Sequence, residues 1–189
     1  MKKAIFIDKD GTLIRDVPYN ADPDLIVLEP HAGAALRLFR DQGYLLVMIT
    51  NQSGIAKGYF KEEQLKGVHD RINELLCDDN VSLDGFFYCP HARESTCSCR
   101  KPRPGMLLQA AALLNIDLVQ SWMIGDILHD VEAGNRAGCR SLLINNGHET
   151  EWEITPAREP TIIARDLLEA AQLIIKSQHH ASTVSRIDQ

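Results

Sequence analysis

The sequence predicts an α/β fold: a three-layer, Rossmann-like arrangement on a parallel sheet of about six strands, with no large cap. Three observations carry that prediction. Short apolar runs alternate with stretches of helical periodicity along the chain, the pattern of repeated βαβ units. Acidic, hydroxyl-bearing or small residues follow several of the runs, as they do where ligands gather beyond the carboxyl ends of parallel strands. Six runs and their helices use nearly all of the 189 residues, which leaves no length for a second sizeable unit.

The expected strands are residues 4–7, 45–49, 85–88, 121–124, 141–144 and 161–164. Between them, residues 31–41 form a helix that stops before Gly43, and 61–77 carry Leu65, Val68, Ile72, Leu75 and Leu76 on one stripe. A third helix starts at Pro104, a residue suited to a first helical turn, and carries Leu107, Leu108, Ala111 and Leu114. Shorter helices are expected over 130–137, before Gly138, and over 166–176. Residues 14–29 and 89–103 break the alternation, and long irregular segments in compact domains usually carry function. Residues 1–176 thus read as one domain that includes the loop 89–103, with 177–189 as a polar, flexible tail.

Twenty Lys and Arg against 26 Asp and Glu give a formal net charge of −6. That balance argues against a nucleic-acid wrapper or a protein lying on anionic membrane, both of which need a basic face. No run approaches the ~18 apolar residues of a membrane span. The chain is expected to be a cytoplasmic monomer that folds without disulfides, since 44% hydrophobic residues at this length suffice for a core.

The polar residues after the runs form an ordered set. Asp8-Lys9-Asp10-Gly11-Thr12 follows the first, Thr50-Asn51-Gln52-Ser53-Gly54 the second, and Gly125-Asp126 the fourth, with Asp130 four residues on. A lone D-x-D could be turn chemistry, but four motifs in this order are specific. They resemble the haloacid dehalogenase (HAD) superfamily of phosphotransferases: D-x-D-G-T at 8–12, the strand-end Thr50, Lys101 before a helix, and G-D-x-x-x-D at 125–130. A carboxylate that attacks a phosphate monoester needs a divalent cation and positive donors around the phosphoryl oxygens. Asp8 is the expected nucleophile, forming an aspartyl-phosphate, and Asp10 the general acid and base. Mg²⁺ is expected on Asp8, Asp126 and the main-chain carbonyl of Asp10, with Asp130 in support. Thr50 and Lys101 bind the transferring oxygens.

Cys89-Pro90-His91 and Cys97-Ser98-Cys99 make C-x-H-x5-C-x-C. Three thiolates and an imidazole form a closed, tetrahedral donor set, so a structural Zn²⁺ on Cys89, His91, Cys97 and Cys99 is expected to order this loop. Cys77 and Cys139 read as small buried hydrophobes. Arg100 and Lys101 follow directly, ahead of Pro102 and Pro104, which disfavour helix at the residues before them. The zinc loop then aims both cations at the site.

Within the superfamily, 51–56 (NQSGIA), 88–91 (YCPH) and 97–106 (CSCRKPRPGM) resemble the D-glycero-D-manno-heptose 1,7-bisphosphate 7-phosphatases. Histidinol-phosphate phosphatases are similar and share the zinc loop. The resemblance implies a small phosphorylated sugar as substrate, in nucleotide-heptose synthesis for surface glycans. It is met by Asp16, Val17, Pro18 and Tyr19, by Thr50, Asn51, Gln52 and Ser53, and by Arg100 and Lys101. The sequence departs from the family where Ile127 follows the fourth-motif Asp, a position that often holds Lys. Lys57 and Arg103 are expected to attract a bisphosphate, His129 to face solvent or cap a helix, and Trp122 and Trp152 to pack. Residues 149–159 read as a mobile edge. A phospho-acceptor receiver module is disfavoured because its acceptor Asp follows the third strand, and here that strand ends in Tyr88-Cys89.

Overall fold

Six parallel strands form a single sheet: β1 (Ala4–Ile7), β2 (Leu45–Asn51), β3 (Gly85–Cys89), β4 (Trp122–Gly125), β5 (Arg140–Ile144) and β6 (Ile162–Ala164). Their order is β3-β2-β1-β4-β5-β6, so the chain winds outward from β1 in one direction and then in the other. The structure, a computed structural model, describes residues 1–184, with side chains to residue 178. The helices are α1 (Ala32–Asp41), α2 (Gln64–Leu76), α3 (Gly105–Leu114), α4 (Leu128–Ala137) and α5 (Leu167–Val184). Among the described residues no helix is long and apolar enough to cross a membrane.

Both faces of the sheet are covered, as parallel sheets require. Side chains alternate along a strand, and β1 divides cleanly between the two cores. Ile5 and Ile7 join Leu36 and Phe39 of α1, Val68 and Ile72 of α2 and Ile174 of α5. Ala4 and Phe6 join Met106 and Leu107 of α3 and Ala133 of α4. All four β1 residues are buried, which is why the strand reads as an unbroken apolar run.

The irregular stretch after β1 pairs with itself. Arg15 N–H donates to Val27 O at 2.9 Å and Glu29 N–H to Leu13 O at 3.0 Å, with an antiparallel bridge between Ile14 and Leu28. Residues 13–29 thus form a small flap, closed by one short ladder and anchored by Leu13, Ile14 and Ile26 in the core.

Three expectations need correction. The helix expected to stop at 176 continues to Val184: no Gly or Pro follows Pro160, and the Ser177 hydroxyl bonds back to Ile174 O at 2.7 Å within the helix. Residues 185–189 of the expected tail lie outside the described residues. Cys77 is exposed rather than buried, because it caps α2 at its solvent end. Trp152 is also exposed, unlike Trp122, because it lies in the connection between β5 and β6.

The Phe39 ring meets Tyr44 edge to face at 5.9 Å beneath the sheet. Phe39→Ala is expected to lower unfolding free energy by about 3–5 kcal/mol, the cost of an aromatic cavity in a packed core, as measured by urea denaturation.

Candidate active site

The order of the strands sets the carboxyl ends of β2, β1 and β4 side by side. Ile7 is level with Met48 on one side and Ile124 on the other. Asp8 therefore leaves β1 against the end of β4, its N–H donating to Ile124 O at 2.9 Å. The turn that follows needs Gly11 on two counts. Its φ is +77°, and a Cβ there would overlap Asp126 Oδ2 and the His148 ring. Thr12 then donates its hydroxyl to Asp126 Oδ1 at 3.2 Å, tying the first loop to the fourth.

Lys101 is the centre of the site. It is 3% exposed, and its ammonium donates to Asp8 Oδ1 and to Ile49 O, the latter at 3.0 Å. It also lies 2.6 Å from Asp130 Oδ1 as an ion pair, although that oxygen has no well-aligned hydrogen bond. Burial pulls the Lys101 pKa down, but Asp130 and Asp8 outweigh it and hold the ammonium above its ordinary value. Asn51 grips the backbone of the same residue: Lys101 N–H donates to Asn51 Oδ1 at 3.1 Å and Asn51 Nδ2 to Lys101 O at 3.2 Å. In this arrangement Asn51 positions the lysine.

The carboxylates of Asp8, Asp126 and Asp130 bring oxygens within 4.8 Å of one another, all three residues buried. Burial, reinforced by the Asp8 charge, pushes Asp126 up to about 6. Asp130 is pushed up to about 8 by burial, against the pull of Lys101. One ammonium does not balance three buried carboxylates, and Mg²⁺, which favours a few carboxylate oxygens, fits the remaining deficit. Gly125 makes the cluster possible, since a Cβ there would overlap the Asp130 carboxyl.

Asp10 faces away from that cluster. Its carboxylate pairs with the buried Lys9 at 2.7 Å and accepts from Gln52 Nε2 at 3.3 Å, while the same amide donates to Thr50 Oγ1 at 2.8 Å. Burial raises the Asp10 pKa, partly opposed by Lys9, which favours the protonated form that an acid needs.

Two recesses flank these groups. A pocket of about 210 Å³ is lined by Asp10, Asp16, Pro18, Tyr19, Asn20, Asn51, Gln52, Ser53 and Gly54. It gathers most of the expected substrate residues from the flap and the β2 loop. Val17 does not line it; its carbonyl instead closes the flap turn by accepting from Asn20 N–H at 3.1 Å. Lys57 donates to the Tyr19 hydroxyl at 2.5 Å. On the other side of Lys101 lies a cleft of about 510 Å³ whose lining includes Arg93, Arg100, Arg136, Arg158, Ile127 and His129. Arg103 also reaches it, but its guanidinium is spent on Ser95 O and Cys97 O at 2.8 and 2.5 Å. It staples the zinc loop.

In that loop Cys89 Sγ is 3.7 Å from Cys97 Sγ and 3.2 Å from Cys99 Sγ, and His91 Nδ1 is 3.5 and 3.3 Å from Cys89 and Cys99 Sγ. Tetrahedral Zn²⁺ with ordinary bond lengths sets S–S at ~3.8 Å and S–N at ~3.6 Å, so the four donors are close to a zinc shell. Burial pushes the Cys89 thiol up to about 12; a thiolate there needs a cation. Cys89 pairs with Asn51 in the sheet, and its carbonyl accepts from Gln52 N–H at 2.8 Å. The zinc loop is thereby joined to the β2 loop.

Sequence reasoning missed Lys9 and the segment after β5. Asn146 Nδ2 donates to Gly11 O at 2.8 Å, His148 Nδ1 lies 2.7 Å from Asp126 Oδ2, and Glu149 Oε2 accepts from Leu128 N–H at 2.6 Å. The signal was present, because these residues follow a parallel strand's carboxyl end as the others do. The segment 149–159 is tied down too: Arg158 pairs with buried Glu132 at 2.7 Å.

A family model described as HAD-hydrolase-like matches residues 98–170. The D-glycero-beta-D-manno-heptose-1,7-bisphosphate 7-phosphatase of Pasteurella multocida is 45% identical over 76% of this chain and 82% of its own length. The protein of that name from Escherichia coli K12 is 37% identical over 94% of this chain and 96% of its own. Among solved structures, the D,D-heptose 1,7-bisphosphate phosphatase of B. bronchiseptica, complexed with magnesium and phosphate, has a TM-score of 0.79 and 29% identity, covering 93% of this chain and 99% of that one.

The purified protein is expected to carry one zinc per chain by elemental analysis. Cys97→Ser is expected to release it and to lower Tm, because the metal supplies the loop's ordering free energy.

Proposed function

The chain belongs to the D-glycero-D-manno-heptose-1,7-bisphosphate 7-phosphatase family of HAD-like hydrolases, and from that membership we propose that it removes the 7-phosphate of this small sugar bisphosphate. The observation that carries the reading is the convergence of the Asp8, Asp126 and Asp130 carboxylates around Lys101. Asp8 attacks the phosphorus and becomes the aspartyl-phosphate. Asp10 protonates the departing sugar oxygen and then takes a proton from the water that hydrolyses the intermediate. Lys101, and Thr50 through its hydroxyl, hold the transferring oxygens, while Asp130 and Asn51 keep Lys101 aimed. Asp8, Asp126 and the main-chain carbonyl of Asp10 would hold Mg²⁺, which when bound neutralises charge on the phosphoryl group.

The flap and the β2 loop supply the sugar subsite, with Asp16, Pro18, Tyr19, Gln52 and Ser53 as the groups facing it, and Arg100 recognises an anionic part of the substrate. The chain through α5 acts as one phosphatase domain. Cysteines gathered as metal donors support a cytoplasmic location, and the acidic net charge supports the absence of a nucleic-acid or anionic-membrane partner.

Asp8→Asn and Asp10→Asn are each expected to lose at least ~10²-fold in kcat, read as multiple-turnover phosphate release; near-normal release in both variants sinks the assignment. Substrate choice is tested by kcat/KM across both heptose bisphosphate anomers and histidinol phosphate. The bisphosphate is expected to lead, and a ~10²-fold preference for histidinol phosphate, about 2.7 kcal/mol of differential transition-state binding, reverses the substrate assignment.

A further inference from the structure

The stretch from Asn146 to Glu149, which leaves the carboxyl end of β5, touches three separate parts of the site. Asn146 Nδ2 reaches Gly11 O in the turn after β1 at 2.8 Å. Asn146 Oδ1 in turn accepts from His148 N–H at 3.2 Å, which sets the direction of the next side chain. The His148 ring nitrogen then lies 2.7 Å from Asp126 Oδ2. Glu149 Oε2 accepts from Leu128 N–H at 2.6 Å, at the first turn of the helix that begins just after Asp126.

That helix has no acceptor side chain at its N-cap position, which is Ile127. Asp130 gives one oxygen to Lys101 and with the other accepts from Ile127 N–H at 3.4 Å. Glu149, 21 residues away, accepts from the first helical N–H, that of Leu128, where a negative charge also suits the helix dipole. Two side chains from one short segment thus fix the residue before the helix and the helix start itself.

We propose that His148 is a positioning residue for the cation site: by donating from Nδ1 to Asp126 Oδ2, it holds that carboxylate so that it presents an oxygen to Mg²⁺. Groups that hydrogen-bond to a metal-ligating carboxylate commonly change metal affinity or activity by ~10- to 100-fold when removed. At 44% exposure, the His148 ring can be truncated without opening a core cavity. The inference rests on the reading of Asp126 as a Mg²⁺ ligand, and the test separates the two.

Mg²⁺ binding to the zinc-loaded protein is measured by isothermal titration calorimetry, alongside kcat and KM as functions of Mg²⁺. His148→Ala is expected to weaken Mg²⁺ binding ~10-fold or more and to regain most of its kcat at saturating Mg²⁺, with an unchanged melting profile. His148→Asn, whose amide nitrogen can take the place of Nδ1, is expected to restore affinity. Equal or tighter Mg²⁺ binding in the alanine variant overturns the proposal, as does failure of the asparagine variant to restore it. If wild-type protein binds no Mg²⁺ and turns over without it, the cation-site reading itself fails, and the role of His148 with it.

Discussion

Everything in the site is arranged around one buried ammonium. Lys101 lies among Asp8, Asp130 and the Ile49 carbonyl with almost no contact with water. An isolated lysine in such a place would lose its proton, and isolated carboxylates would keep theirs. Together they form a cluster in which each charge is held by the others. The cost of desolvation is met only by precise placement, so the fold has to fix four separate segments to within a hydrogen bond.

It does so through the sheet and the metal loop together. Strand order brings the Asp8 and Asp126 loops into contact. Lys101 belongs to neither strand; it arrives from a loop with little apolar material of its own. That loop is held from both sides: by Asn51, bonded to both backbone groups of Lys101, and by the cysteine and histidine donors that close just before it. Because Cys89 is paired with Asn51 in the sheet, zinc and lysine share one support.

Much of this was legible in the sequence, for identifiable reasons. Strands buried on both faces show as continuous apolar runs, and β1 was read to the residue. Motif spacing singles out Asp8, Asp10, Thr50 and Asp126 at strand ends and Lys101 in a loop, and the structure brings Asp8, Asp126 and Lys101 together with Asp130. The spacing did not show which way side chains turn. Asn51 and Gln52 were read as facing substrate; Asn51 also bonds the Lys101 backbone, and the Gln52 amide bridges Asp10 and Thr50. Lys9 looked like a spacer between two aspartates and is a buried counter-ion to one of them. His148 lay beyond any motif, since its partner is 22 residues earlier. The helix ending was misjudged because polar composition was read as fraying, whereas what ends a helix is a breaker or a cap.

The arginine-lined cleft has a consequence at longer range. The protein as a whole is acidic, so a multiply charged anion is repelled at a distance. In the cleft Arg93 and Arg100 oppose that repulsion, while Arg136 and Arg158 are paired with Glu132, and Glu149 and Glu151 share the lining. With a screening length of about 8 Å at physiological ionic strength, the distant repulsion is damped while the field inside the cleft survives. An anion is then drawn into the cleft only at short range, and diluting the salt strengthens both that attraction and the repulsion around it.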